Sequence, residues 1–150
     1  MKHNIFYFIA LTLFLFSCKK EEKPDYLAID IQKIEQYLQE HQLQAQRLEC
    51  GLFYIIEKAG DINRPTPNSM VTVSYRGTFL DGTEFDSSSG FTGSLSHMIR
   101  GWQQGIPLIG AGGKIRLFIP SPLGYGDKAY GKIPANSPLI FDVSLFHFSD

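Results

Sequence analysis

The sequence predicts an α+β fold: an antiparallel β-sheet wrapped around one short α-helix, with a further helix ahead of it. Three observations carry this. Several segments after residue 50 alternate apolar and polar residues with the period of a half-buried strand. Only one short stretch among them, from Arg100 to Ile109, has helical spacing, so the strand–helix–strand rhythm of a parallel sheet is missing. All fourteen glycines and seven of the eight prolines lie at Gly51 or later, which concentrates the turns there.

Taken in order, Lys2 and His3 precede an apolar run from Ile5 to Phe16. A bilayer span needs about 18 or more apolar residues, so this run is short for a membrane helix and suits a signal-peptide core. Leu15-Phe16-Ser17-Cys18 follows and resembles the lipobox of bacterial lipoproteins. That resemblance implies cleavage after residue 17 and acylation of Cys18, with ordinary secretion as the alternative. The residue after Cys18 is not Asp, which is compatible with sorting to an outer membrane. The expected location is therefore the cell envelope, lipid-anchored at the outer membrane of a diderm bacterium.

Residues 18–49 read as a tether and a helix. Lys19 to Pro24 is charged and has no apolar residue, as a solvated tether would. Leu27, Ile31, Ile34 and Leu38 then share a helical face, with Asp25 a candidate N-cap. The helix either docks on its own domain or serves as a spacer or dimer element. Cys50, without a partner once Cys18 is acylated, reads as a small buried residue at the start of a strand, a reactive thiol being the alternative.

Residues 50–150 form the main domain. Leu52 to Ile56 is β-rich and ends at Gly60-Asp61. Val71, Val73 and Tyr75 share a strand face. Asp81-Gly82 is a hairpin signal, and Glu84-Phe85-Asp86 resumes extended structure. Trp102, Ile106 and Ile109 lie on one side of the short helix, which Pro107 should end early. Ile115, Leu117 and Ile119 alternate with Lys114, Arg116 and Phe118, and Phe141, Val143 and Leu145 mark the inner face of a last strand from Leu139 to Phe148.

Composition and failed motifs exclude several functions. Hydrophobic residues make up 43% and the net charge is −1, so the chain is neither disordered nor basic enough to neutralise a nucleic-acid backbone. Gly126 to Lys132 fits a phosphate loop until Ile133 replaces the Mg²⁺-ligating hydroxyl and Pro134 removes a backbone donor. Gly124 to Ala129 mimics a dinucleotide fingerprint with no helix behind it. The four histidines lack metal-ligand spacing, so neither a metal nor a cofactor is expected. Ser94 and Ser96 have no nucleophile-elbow context, and His97 reads as a surface or hydrogen-bonded histidine.

Four ordered blocks point elsewhere. They run from Val73 to Ser88 (VSYRGTFLDGTEFDSS), from Met98 to Gly105, from Ile119 to Gly126, and from Ile133-Pro134 through Leu139 to Val143. Together they closely resemble the signature of FKBP-type peptidyl-prolyl isomerases over about two thirds of the chain. The N-terminal helix and lipobox resemble the envelope lipoprotein members. The resemblance implies an FKBP-like fold, prolyl isomerisation of proline-containing polypeptides, a role in folding exported proteins, and macrolides as candidate inhibitors. Carried over, Asp86, Tyr125 and Tyr75 are the candidate catalytic residues, and Phe85, Phe91, Met98, Ile99, Trp102 and Phe141 the candidate substrate pocket. Trp102 would be its floor, and the Tyr125 hydroxyl and the Ile99 N–H would donate to substrate carbonyls. Asp86 would either complement the twisted carbonyl carbon or orient Tyr75. Lys128, Ala129 and Tyr130 stand where familiar small members carry a histidine loop, and Gly93 where a larger side chain is common. A binding or chaperone module on the same fold is the competing reading.

The chemistry fits those residue types. An X-Pro bond turns over a barrier of about 18–20 kcal/mol. It needs no covalent step, only loss of amide resonance. A water-excluding aromatic basin disfavours the charge-separated planar amide and suits the less polar twisted state.

Overall fold

The computed structural model describes residues 23–150. The predicted signal segment, residues 1–17, and the predicted lipid site Cys18 lie outside the described residues. The chain runs α1 (Tyr26–Glu40), β1 (Gln46–Arg47), β2 (Phe53–Lys58), β3 (Met70–Phe79), β4 (Glu84–Ser94), α2 (Arg100–Gly105), β5 (Lys114–Ile119) and β6 (Leu139–Ser149). The strands form one antiparallel sheet in the order β1-β2-β5-β6-β3-β4.

Local chemistry accounts for each element. Asp25 caps α1, its Oδ1 accepting from the Leu27 and Ala28 N–H groups at 3.1 and 3.2 Å. The helix ends where Gln42 takes a positive φ of 53° and the Leu43 N–H returns to the Leu38 carbonyl. The β3–β4 hairpin turns at Asp81-Gly82: Gly82 has φ 85°, and Asp81 accepts from the Thr83 N–H at 2.9 Å. As Pro107 requires, α2 stops at Gly105, and a 3₁₀ turn over Ile106–Leu108 finishes the segment.

The sheet is covered on both faces. Trp102, Ile106 and Ile109 pack on one face with Val71, Val73, Leu117, Ile119, Phe141, Val143 and Leu145. On the other, Ile34 and Leu38 of α1 pack on Phe53, Phe118 and Ile140. Phe118 alternates into the face expected to be polar and is nonetheless fully buried, because α1 lies over it.

Two expectations are revised and one alternative is decided. The buried face of α1 is Asp30, Ile34 and Leu38, so the helix is rotated from the apolar stripe, and Leu27 and Ile31 are only half-buried. Of the two readings of the N-terminal helix, docking on its own domain is the one the structure shows: Ile34 and Leu38 pack on the sheet, and Gln46 and Arg47 pair with Tyr54 and Phe53. Two residues are too few to give a periodic signal. Cys50 is half-buried in the β1–β2 turn rather than in a strand, with β2 starting at Phe53.

Ile34→Ala should cost about 2–5 kcal/mol by opening a cavity under α1. Asp25→Ala should cost about 1 kcal/mol through loss of the cap. Urea midpoints separate the two; equal costs would contradict a docked, capped α1.

Candidate functional site

Four elements converge on one indole. Trp102, on α2, is 5% exposed. Around it stand Tyr75 from β3 at 5.1 Å between ring centroids and 77° between planes, Phe141 from β6 at 5.3 Å and 85°, and Phe91 from β4 at 6.4 Å and 76°. The rings meet the indole edge to face, the favoured arrangement of aromatic quadrupoles. They make walls around a floor. The cavity above has a volume of about 430 Å³. Asp86, Met98, Ile99 and Tyr125 complete its lining together with His97 and Tyr130.

The strands aim these walls by register. Tyr75 faces Val143 across the β3–β6 pair, and Gly77 faces Phe141. Gly77 cannot carry a side chain: a Cβ there would lie 2.6 Å from the Phe85 ring and 3.0 Å from Phe141. Phe85 packs edge-on against Phe141 at 5.5 Å, and so fixes the far wall from behind.

The polar groups divide into spent and unspent donors. The Tyr75 hydroxyl donates to Asp86 Oδ2 at 2.6 Å. Desolvation first, then that hydrogen bond and the carboxylate's charge, push the Tyr75 phenol up to about 12, so it stays a neutral donor to Asp86. Tyr125 is also raised, by burial and then by the nearby Tyr130 and Asp86, with no hydrogen bond contributing. The Ile99 N–H, at the cap of α2, has no acceptor among the described residues, whereas its carbonyl receives the Trp102 and Gln103 N–H groups. Trp102 Nε1 is buried and likewise unpaired among the described residues. Unpaired donors of this kind gather at functional sites. Gln103 Nε2 donates to the Met98 carbonyl at 2.8 Å and ties the segment before Ile99 to α2.

A family model described as FKBP-type peptidyl-prolyl cis-trans isomerase matches residues 62–146, more than half of the chain. The chain belongs to this family. Among curated relatives, the FKBP-type peptidyl-prolyl cis-trans isomerase FkpA of Buchnera aphidicola subsp. Schizaphis graminum is 49% identical over 104 residues, covering 66% of this chain and 41% of that protein. FkpA of Escherichia coli strain K12 is 42% identical over 99 residues, 63% of this chain and 37% of that one. The chain thus spans about two fifths of the length of the curated relatives it matches. The crystal structure of FkpA from Escherichia coli superposes with a TM-score of 0.73 at 35% identity, covering 82% of this chain and 61% of that chain. A peptidyl-prolyl cis-trans isomerase structure from Pseudomonas syringae superposes with a TM-score of 0.71 at 26% identity, covering 86% and 98%.

For an FKBP-type chain, the structure brings Tyr75, Asp86, Phe91, Met98, Ile99, Trp102, Tyr125 and Phe141 to one cavity. Phe85 stands behind the far wall: it packs on Phe141 at 5.5 Å and on Phe79 at 5.1 Å, and is not among the residues that line the cavity. His97 was read as a surface residue and is exposed, yet it lines the rim. Tyr130 is 63% exposed and stacks on Tyr125 at 4.5 Å and 10°. Its signal in the sequence was an aromatic in a loop where a histidine was expected; Gln103 had none.

Raising the Tyr75 phenol means that the fold binds its proton more tightly than the unfolded chain does. The stability this contributes is complete below about pH 10 and is lost as pH rises towards about 12. In a spectrophotometric titration, the latest-ionising component should vanish in Tyr75→Phe and move to lower pH, still above the ordinary value, in Asp86→Asn. An unchanged titration in both would contradict the pairing.

Proposed function

We propose that this chain accelerates rotation about X-Pro peptide bonds without covalent chemistry. The carrying observation is the Trp102 floor walled by Tyr75, Phe91 and Phe141, with the Tyr125 hydroxyl and the Ile99 N–H unspent at its edge. The pyrrolidine ring enters the aromatic box and stacks on the indole. The donors at the rim take the flanking carbonyls and fix the polypeptide on either side of the rotating bond. In this basin the planar amide loses the solvation that supports its charge separation, while the twisted amide loses little. Asp86 is already engaged by Tyr75 and therefore acts by orienting that wall and setting a negative charge at the rim, not by moving a proton. No group in the scheme changes its covalent bonds.

Substrates under this reading are proline-containing polypeptides, and macrolides that mimic a prolyl group are candidate inhibitors of the same box. The Leu15 to Cys18 motif supports a second part of the proposal, a chain acylated at Cys18 and held in the cell envelope, at the outer membrane of a diderm bacterium, where it assists the folding of exported polypeptides.

A protease-coupled isomerisation assay on the full chain in mild detergent tests the activity. Cis-to-trans conversion of a prolyl peptide, which takes tens to hundreds of seconds unaided, should become concentration-dependent and fast. Tyr125→Phe should lower kcat/KM about tenfold, the value of one lost hydrogen bond. Asp86→Leu should also lower it, with the fold intact. Background rates from the wild-type chain would leave a binding or chaperone module as the reading. For the anchor, mass spectrometry of membrane fractions should find a lipid adduct in the wild-type chain and none in Cys18→Ala; a soluble, unmodified wild-type chain would refute it.

A further inference from the structure

The most constrained polar contact outside the cavity joins α1 to the segment that carries Tyr125. Asp30 is fully buried. Its Oδ2 accepts from the Ser121 N–H at 2.8 Å and from the Ser121 hydroxyl at 2.5 Å. Its Oδ1 makes no hydrogen bond among the described residues, and the Lys33 ammonium stands 3.7 Å away. Ser121, 1% exposed, opens the 3₁₀ turn Ser121–Leu123. Its carbonyl then accepts from both residues that flank Tyr125, Gly124 at 3.0 Å and Gly126 at 2.8 Å. One carboxylate therefore holds Ser121, and Ser121 brackets Tyr125 from either side.

Burying a carboxylate is costly, and an apolar residue of similar size at such a place is often neutral or stabilising. Ile34 and Leu38 already dock α1 through its apolar side. What the carboxylate adds is direction: two hydrogen bonds to one residue leave it a single orientation. The segment needs that. Gly124 and Gly126 flank the tyrosine, and Gly126 takes φ 71°, so the backbone there has little conformational preference of its own. A donor moved out of hydrogen-bond reach loses at most what its removal costs, here about tenfold in rate.

We infer that Asp30 is a positioning residue: from α1, through Ser121, it sets the place of the Tyr125 hydroxyl over the cavity. Asp30 lies outside the matched family segment, residues 62–146, so the helix ahead of the domain contributes to the site. The inference rests on the isomerase reading for its effect on rate, and on geometry alone for its effect on Tyr125.

The test is a double-mutant cycle on the full chain, comparing Asp30→Ala, Tyr125→Phe and the double variant in the prolyl isomerisation assay, with rates corrected for folded fraction by circular dichroism. Asp30→Ala should lower kcat/KM about as much as Tyr125→Phe does, roughly tenfold, and should add less than twofold in the Tyr125→Phe background. Asp30→Asn, which keeps an oxygen for Ser121, should recover most of the loss. Equal factors in both backgrounds, or a wild-type rate in folded Asp30→Ala, would overturn the inference and leave the isomerase reading standing. If Asp30→Ala does not fold, Ser121→Ala, which removes only the hydroxyl bond, takes its place with the same non-additivity expected at smaller size. If the wild-type chain shows no isomerisation, that reading fails and the positioning role is decided by NMR. The Tyr125 ring resonances, identified by their loss in Tyr125→Phe, should move in the Asp30 or Ser121 variant while those of Tyr54, held on β2 by its hydrogen bond to Gln46, stay; unmoved Tyr125 signals would overturn it.

Discussion

Everything in this domain that bears on chemistry is arranged around the faces and edges of one indole. Trp102 can serve as a floor only if three rings from three strands stand nearly upright around it, and each must arrive within about 6.4 Å at a steep angle. That requirement explains features that look unrelated along the chain. Gly77 is bare because the Phe85 ring crosses it to support Phe141. The helix α2 is short, so Trp102 and Ile106 both reach the concave face before Pro107 breaks the ladder. The β3 and β4 strands shift register between Val73 and Tyr75, where the two wall residues Tyr75 and Phe91 diverge around the indole.

The polar groups obey a second constraint, that of an apolar basin with only a few wet edges. Tyr75, Ile99 and Tyr125 show two ways of handling a donor beside the basin, consumption or placement at the rim, while Trp102 Nε1 is buried without a partner among the described residues. Tyr75 is consumed by Asp86, and the cost of burying its phenol appears as a raised ionisation range. Ile99 and Tyr125 keep their donors, and each is held by something behind it: Gln103 behind the Met98–Ile99 segment, Ser121 and Asp30 behind Tyr125. Rigid support of a small number of donors is what separates a recognition surface from an ordinary core that happens to be aromatic.

Much of the fold was legible because its signals are local. The alternation over Lys114–Ile119 and Leu139–Ser149, the Asp81-Gly82 turn and the Pro107 stop depend on adjacent residues and on backbone sterics, and they appear where the pattern puts them. The candidate site was legible for a different reason. Four ordered blocks of one family occur together, and the candidate site residues carried over with that resemblance, apart from Phe85, come to one cavity. Taken singly, Phe141 or Trp102 is indistinguishable from core by composition or period.

Left to itself, the sequence determined the strands other than β1, the hairpin, the short helix and the family, since each is written in neighbouring residues or in a motif. Tertiary structure alone decided which face of α1 is buried, and so put Asp30 rather than Leu27 in the buried row, against Ser121. It decided that Phe118 and Ile140 are core, that Phe85 supports a wall without lining the cavity, and that Tyr130 stacks on Tyr125. These outcomes have one physical cause. They depend on what lies across a gap from a residue distant in the chain, such as Asp30 against Ser121, and no period or local propensity carries that information.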